Sequence, residues 1–259
     1  MKLGAFTSIK DLHYIEMMKK CGYDYVEASI NQLNKSTEEE LCAFEEELKK
    51  YNYKCEAVNC LFPGDVIVAG PDADLPKVED YLAKIFEKTK RFGYKAVVFG
   101  SGASRVLPDD FPYEKATEQF CRICSDYLSP MGKKYGFRVA IEELNGGETN
   151  FINYVSEAYE IAKMVNKPEI GIVCDSFHIA LSGEPYSLLE KMGDKIVHAH
   201  TANPVERQYP KKGDGHRYDL FIGAMKKGGY DERVTVESFD FASLPEGLPN
   251  TAEAFKDLL

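Results

Sequence analysis

Ionisable residues stand where four apolar runs of this chain stop. In EIGIVCDSFH (169–178) the run Ile170 to Cys174 ends at Asp175, with His178 three positions on. RVAIEELN (138–145) carries Glu142 and Glu143, KIVHAHTAN (195–203) carries His198 and His200, and RVTVESF (233–239) carries Glu237. A short apolar run between turn signals predicts a strand buried on both faces. Charged groups gathered at the ends of such strands are costly to hold unless they bind something. Taken alone, Asp175 reads equally well as a cap on the following turn; the recurrence at three further strand ends is what points to a site. Glutamate and aspartate carboxylates with an imidazole make a mixed N/O ligand set for a divalent ion, suited to Mn²⁺, Mg²⁺, Co²⁺ or Zn²⁺. The competing explanation is a buried hydrogen-bond network of acids and histidines without an ion.

The elements that position these residues alternate with a steady rhythm. Strands are predicted at 2–7, 23–29, 54–62, 95–102, 138–145, 169–178, 195–203 and 233–239. Helices are predicted between them, among them 36–51, where Ser36 and Glu39 have capping-box spacing, a long helix ending about Tyr135, and a closing helix, TAEAFKDLL. Eight β–α pairs of about thirty residues each match the size of a (β/α)8 TIM barrel of about 250 residues, one single domain over 1–259. A doubly wound open sheet is the structural rival, but eight parallel strands favour closure because an open sheet leaves edges exposed. In such a barrel the chemistry lies at the C-terminal ends of the strands. Side chains alternate along a strand, so only one of Glu142 and Glu143 points inward, while His198 and His200 share a face with His200 nearer the mouth.

The 259 residues are 44% hydrophobic with a net charge of −10, and no run of Lys or Arg forms a phosphate-tracking stripe. A nucleic-acid partner is therefore not expected. The start lacks a signal-peptide pattern and no apolar stretch is long enough for a bilayer, so no membrane partner and a cytoplasmic location are expected. Most of the seven scattered cysteines read as reduced, buried small hydrophobes, and the single Cys121-x-x-Cys124 lies in a helical pattern without a second pair. Gly100-Ser101-Gly102 lacks the third glycine of a dinucleotide fingerprint and instead lets its loop approach the barrel mouth. Glu27 either faces the pocket or is a salt-bridged core acid. Phe6, Phe62 and Phe99 either wall a sugar ring or cap the barrel core.

VAIEELNGGETNF, IVCDSFHIAL, IVHAHTAN and VTVESF resemble the metal-site segments of the xylose-isomerase-like TIM-barrel sugar isomerase and epimerase superfamily. The resemblance is nearest to the ketose 3-epimerases (tagatose/psicose type) and hydroxypyruvate isomerase. The segments occur in the family's order over roughly 138–240, and the first half matches only by its barrel rhythm. The resemblance implies a metal site of Glu142, Asp175, His200 and Glu237, with one divalent ion and Mn²⁺ as first choice. It implies Glu142 and Glu237 as the catalytic acid/base pair, His178 as a substrate-hydroxyl contact, and Glu148 as a contact to substrate or to its ligands. The implied reaction is proton transfer on a small sugar or sugar derivative through a cis-enediolate, ending in epimerisation or aldose–ketose isomerisation.

The sequence departs from the family after the ligand histidine. In HTANPVERQYPKKGDGH, Asn203 and Arg207 stand for the usual acidic residue and Asn-Arg, with an extra residue between. Arg207 and His216 are thus candidate substrate contacts. Asp214-Gly215-His216 also echoes endonuclease-IV-type repair enzymes, but the histidines those enzymes need after earlier strands are missing here. The alternative function is a metal-dependent lyase or dehydratase on a sugar or inosose at the same site. A third is a non-catalytic sugar-binding or scaffolding barrel. The assembly state is open, a homo-oligomer included.

Overall fold

Eight strands pair in sequence order and close on themselves: β1 (Lys2–Phe6), β2 (Tyr25–Ser29), β3 (Cys55–Asn59), β4 (Ala96–Phe99), β5 (Arg138–Ile141), β6 (Ile170–Asp175), β7 (Ile196–Thr201) and β8 (Arg233–Val236). Every pairing is parallel, including β1 with β8. The computed structural model describes residues 1–259. The barrel reading holds, and the open-sheet rival falls because no edge remains. The strands are shorter than the sequence suggests, since several polar end residues leave the ladder to face the mouth. Glu142, Glu143 and Glu237 lie just past β5 and β8.

Helices cover the outside: α1 (His13–Lys20), α2 (Ile30–Lys35), α3 (Glu38–Lys50), α4 (Leu75–Thr89), α5 (Tyr113–Arg122), α6 (Ser129–Tyr135), α7 (Val155–Val165), α8 (Ser176–Ser182), α9 (Tyr218–Lys227) and α10 (Leu244–Phe255). The expected long helix to Tyr135 is present as α5, a π-helical turn (Ile123–Leu128) and α6. The capping box sits one residue later than expected. Thr37 Oγ1 accepts from the Glu40 N–H at 3.2 Å while the Glu40 carboxylate accepts from the Thr37 N–H at 3.0 Å. Ser36 instead donates to Gln32 O, closing the unexpected α2. The closing helix begins at Leu244 with Pro245 in its first turn, a position where proline costs no hydrogen bond. Residues 176–178, expected to extend the sixth strand, start α8. All seven cysteines are free thiols, but only Cys55, Cys124 and Cys174 are buried, and Cys21, Cys42, Cys60 and Cys121 are partly exposed.

The barrel interior is filled by one large ring among small residues: Tyr25 packs with Ala57, Ala96, Val98, Ala140, Val173 and Val197. Its hydroxyl lies 2.7 Å from Thr235 Oγ1. Gly4 makes the space, because a Cβ there would stand 2.3 Å from the Tyr25 ring. Gly4→Ala is expected to lower stability by about 1–3 kcal/mol through overpacking, read as a lower urea midpoint at unchanged m-value. At β7 the register jumps, with Ile172 opposite Ile196 but Val173 opposite His198. That one-residue bulge, of the kind that re-aims side chains near sites, brings both His198 and His200 to the interior.

Candidate metal centre and active site

Asp175 serves two purposes with its two oxygens. Oδ1 accepts from the Phe177 N–H at 2.8 Å and caps α8, while Oδ2 is buried with no hydrogen-bond partner and faces the barrel mouth. There it meets Glu142 from β5, His200 from β7 and Glu237 from β8. One ligand atom from each of the four lies within 4.8 Å of the others, and all four residues are buried. Glu142 Oε1 is 2.8 Å and Glu237 Oε2 is 3.5 Å from His200 Nδ1. The structure thus brings together the four residues that the motif segments single out. Glu143 takes the other side of its strand end, accepting from the Asp175 N–H at 3.0 Å.

The electrostatics of this cluster favour a cation. Burial, joined by repulsion from Glu237 and Asp175, pushes Glu142 up to about 7 against the pull of His200. Burial likewise pushes Asp175 up to about 6, against Arg207 and His200. Burial works against a charge on His200, yet Glu27, Glu237 and Glu142 outweigh it and push the imidazole well above its ordinary value. Several carboxylates held out of water cost several kcal/mol each unless compensated. The unpartnered Asp175 Oδ2 and a set of three carboxylates with one imidazole fit a divalent ion.

Neighbouring side chains fix this set. Asn59, at the end of β3, donates through Nδ2 to Glu237 Oε1 at 2.7 Å. Arg207 donates to the other Glu237 oxygen, and to Glu148 Oε1 at 3.2 Å. Its guanidinium is sandwiched between the rings of Phe177 and Phe239, 4.7 and 4.8 Å from their centroids, a cation–π geometry. Beneath the cluster the fully buried Arg105 donates to Glu142 O at 2.8 Å. Gly100 leaves room for Glu142, because a Cβ there would fall 1.7 Å from Glu142 Oε2.

The remaining candidates lie at different depths. His178, on α8, is fully buried; its Nδ1 accepts from the Asn145 N–H at 3.1 Å. This leaves the proton on Nε2, which has no hydrogen-bond partner and lies 3.5 Å from Asp175 Oδ2 and 4.0 Å from Glu148 Oε1. Burial, with Arg207 and His200 nearby, pulls this imidazole down to about 2, so it is neutral. Glu148 stands at the mouth, partly exposed. His216 does not line the pocket: its Nε2 is 2.8 Å from the Tyr186 hydroxyl, which donates to Ser176 O. Asn203 is spent on its own loop, its Oδ1 accepting from the Val205 N–H. Glu27 is a buried acid behind His200, so of its two readings the core acid is closer. Phe62 lines the pocket, Phe6 packs on Phe239 and Phe241, and Phe99 stacks on Phe120 in the helical layer.

Asn59 and Arg105 lie outside the motif segments of the sequence, and Asn145, Phe177 and Phe239 lie within them without a role that the sequence reading assigns. Asn59 alone has a signal, as a polar residue interrupting the apolar end of the strand predicted at 54–62, and it is where β3 stops. The pocket over the cluster holds about 200 Å³ and is lined by Asn59, Phe62, Glu142, Glu148, Arg207 and Glu237 among others. A larger hollow of about 530 Å³ opens at the opposite end of the barrel, between α1 and α10. It holds no comparable set of ligand atoms.

Known proteins resemble this chain over nearly its whole length. A model of the xylose isomerase-like TIM barrel family matches residues 15–258. An inosose isomerase of Halalkalibacterium halodurans is 29% identical over 89% of this chain and 82% of its own. Among solved structures, a D-psicose 3-epimerase with D-tagatose from Clostridium cellulolyticum H10 superposes with a TM-score of 0.83. It covers 99% of this chain and 98% of its own at 17% identity. The IolI protein, solved with a bound zinc atom, superposes at 0.73 with 22% identity, covering 100% and 96%. No helix of this chain is long and apolar enough to cross a membrane.

Proposed function

The chain belongs to the xylose isomerase-like TIM barrel family and is an enzyme of the sugar isomerase and epimerase kind, and from that premise we propose its chemistry. It moves a proton on a small uncharged sugar or cyclitol ketone, through a cis-enediolate, with one divalent metal ion. The observation that carries this is the buried meeting of Glu142, Asp175, His200 and Glu237, of which Glu142 and Glu237 line the mouth pocket. These four residues would hold the ion, and Mn²⁺ is the first choice for a set with three carboxylate donors. When bound, such an ion polarises a carbonyl and acidifies the adjacent C–H.

The chain's own residues supply the rest. Glu142 and Glu237 arrive from β5 and β8 and open on the same pocket. One takes the proton from carbon and the other returns it, the division of labour general acid–base catalysis requires. The unpartnered Nε2–H of His178 donates to a substrate hydroxyl. Arg207 and Glu148 hold the outer oxygens, and Phe62 and Phe239 keep water from the reacting carbons. The substrate is uncharged because Arg207 is the one cation lining the pocket, and it already meets Glu237 and Glu148. A phosphate there would face carboxylates. A volume of about 200 Å³, below the range of about 300–1,000 Å³ for drug-sized ligands, suits a single small ring.

The test is incubation of the Mn²⁺-loaded enzyme with free ketoses and inososes in D₂O. Deuterium is expected at the carbon next to the carbonyl in recovered carbohydrate, along with the epimer or isomer. A dehydrated product alone would replace this reading with the lyase, and no turnover of any of them would leave a binding protein.

A further inference from the structure

We propose that Glu27 is a positioning residue for His200, and that His198 holds Glu27 in that task; the inference rests on the metal-dependent reading above. Glu27, on β2, is completely buried and does not line the pocket. Both of its oxygens are committed to imidazoles. Oε1 lies 2.9 Å from His200 Nε2 and Oε2 lies 2.8 Å from His198 Nε2. His198 Nε2 is also 3.1 Å from Thr235 Oγ1, whose other neighbour is the Tyr25 hydroxyl, so the chain of contacts ends inside the closed barrel.

As a ligand to an ion His200 would have to be neutral, and of the two neutral tautomers only one presents a lone pair to Glu142, Asp175 and Glu237. The Glu27 carboxylate can only accept, so it selects the proton on Nε2 and leaves Nδ1 free to face Glu142, Asp175 and Glu237. The carboxylate behind the ring also makes Nδ1 a stronger donor to a cation. The ring plane is fixed because Glu27 cannot turn without breaking its bond to His198. A carboxylate buried only to stabilise the core is a poor investment, since apolar replacements of buried ion pairs are often neutral or better. Tying both oxygens behind one ligand gives this acid a reason to be there.

The experiment titrates metal-free wild type, Glu27→Gln, His198→Ala and His198→Gln with Mn²⁺ by calorimetry, with a thermal melt of each metal-free protein. Wild type is expected to bind one ion. Glu27→Gln is expected to bind about 10–100-fold more weakly, the usual cost of losing such a partner, with the metal-free melt preserved. His198→Ala should weaken binding in the same direction. His198→Gln, whose amide N–H can replace the Nε2–H, should restore it towards wild type. That pair carries the test even if Glu27→Gln does not fold. Equal Mn²⁺ affinity in wild type, Glu27→Gln and His198→Ala, with lowered metal-free melts, would overturn the proposal in favour of a structural role. Two ions per wild-type chain would overturn it by making Glu27 a ligand. No binding by wild type would remove the metal-dependent reading itself, and this inference with it.

Discussion

Glu237→Gln is expected to cut kcat by about 10²–10⁴-fold, the range for loss of a general acid–base group, with Mn²⁺ saturating. Deuterium uptake into recovered substrate should fall with it. Glutamine matches the glutamate in shape but cannot take a proton from carbon. It also cannot satisfy the surroundings. One Glu237 oxygen accepts from Asn59 Nδ2 at 2.7 Å and the other from Arg207, so the amide nitrogen must face a donor in either orientation. Mn²⁺ affinity should fall as well, because one of three carboxylate ligands is gone. Measuring kcat across a metal titration separates the two effects: the turnover deficit must persist at the plateau. A variant that recovers wild-type turnover there would show Glu237 to be a ligand without a part in proton transfer. Asn59→Ala makes a useful companion, since it frees one oxygen of Glu237 and keeps the carboxylate.

The half of the site that was legible in the sequence is the half built from strand ends with ionisable residues. Glu142, Asp175, His200 and Glu237 each stop an apolar run, and the barrel rhythm places all such stops at one mouth. What was not legible depends on contacts between distant elements. Arg105 lies in the loop after β4 and looks like any solvated arginine, yet it is fully buried under Glu142 O. Phe177 and Phe239 come from different strand ends and form a slot only around Arg207. Asp175 reads in the sequence as either a cap or a site residue, and its two oxygens do one job each. Small local signals misplaced boundaries for a related reason. SerThr-Glu-Glu-Glu at 36–40 offers two capping boxes one residue apart, and Ser36 is taken by the end of α2. The bulge in β7 left no trace in the sequence pattern, although it sets where both histidines point.

Gly100→Ala is expected to lower kcat/KM by about 10²-fold, the scale associated with a misplacement of about 1 Å in an active site, with little loss of stability. The added Cβ would fall 1.7 Å from Glu142 Oε2 and 2.9 Å from its Cδ, so the two cannot coexist. What gives way is the far end of a flexible side chain rather than backbone, which is why the fold survives. The carboxylate must swing away from the wall formed by β4, and its Oε1 loses its place 2.8 Å from His200 Nδ1. Glu142 is both ligand and acid–base group in the proposed chemistry, so Mn²⁺ affinity and turnover should fall together. Gly136→Ala is the contrasting substitution: its Cβ would meet nothing within 4 Å, but its φ of +79° is strained for alanine. That variant should lose stability and keep its activity, the reverse of Gly100→Ala. Thermal melts and kinetics on the pair distinguish them. If Gly100→Ala turned over like wild type, the position of Glu142 against the β4 loop would not be the one that works.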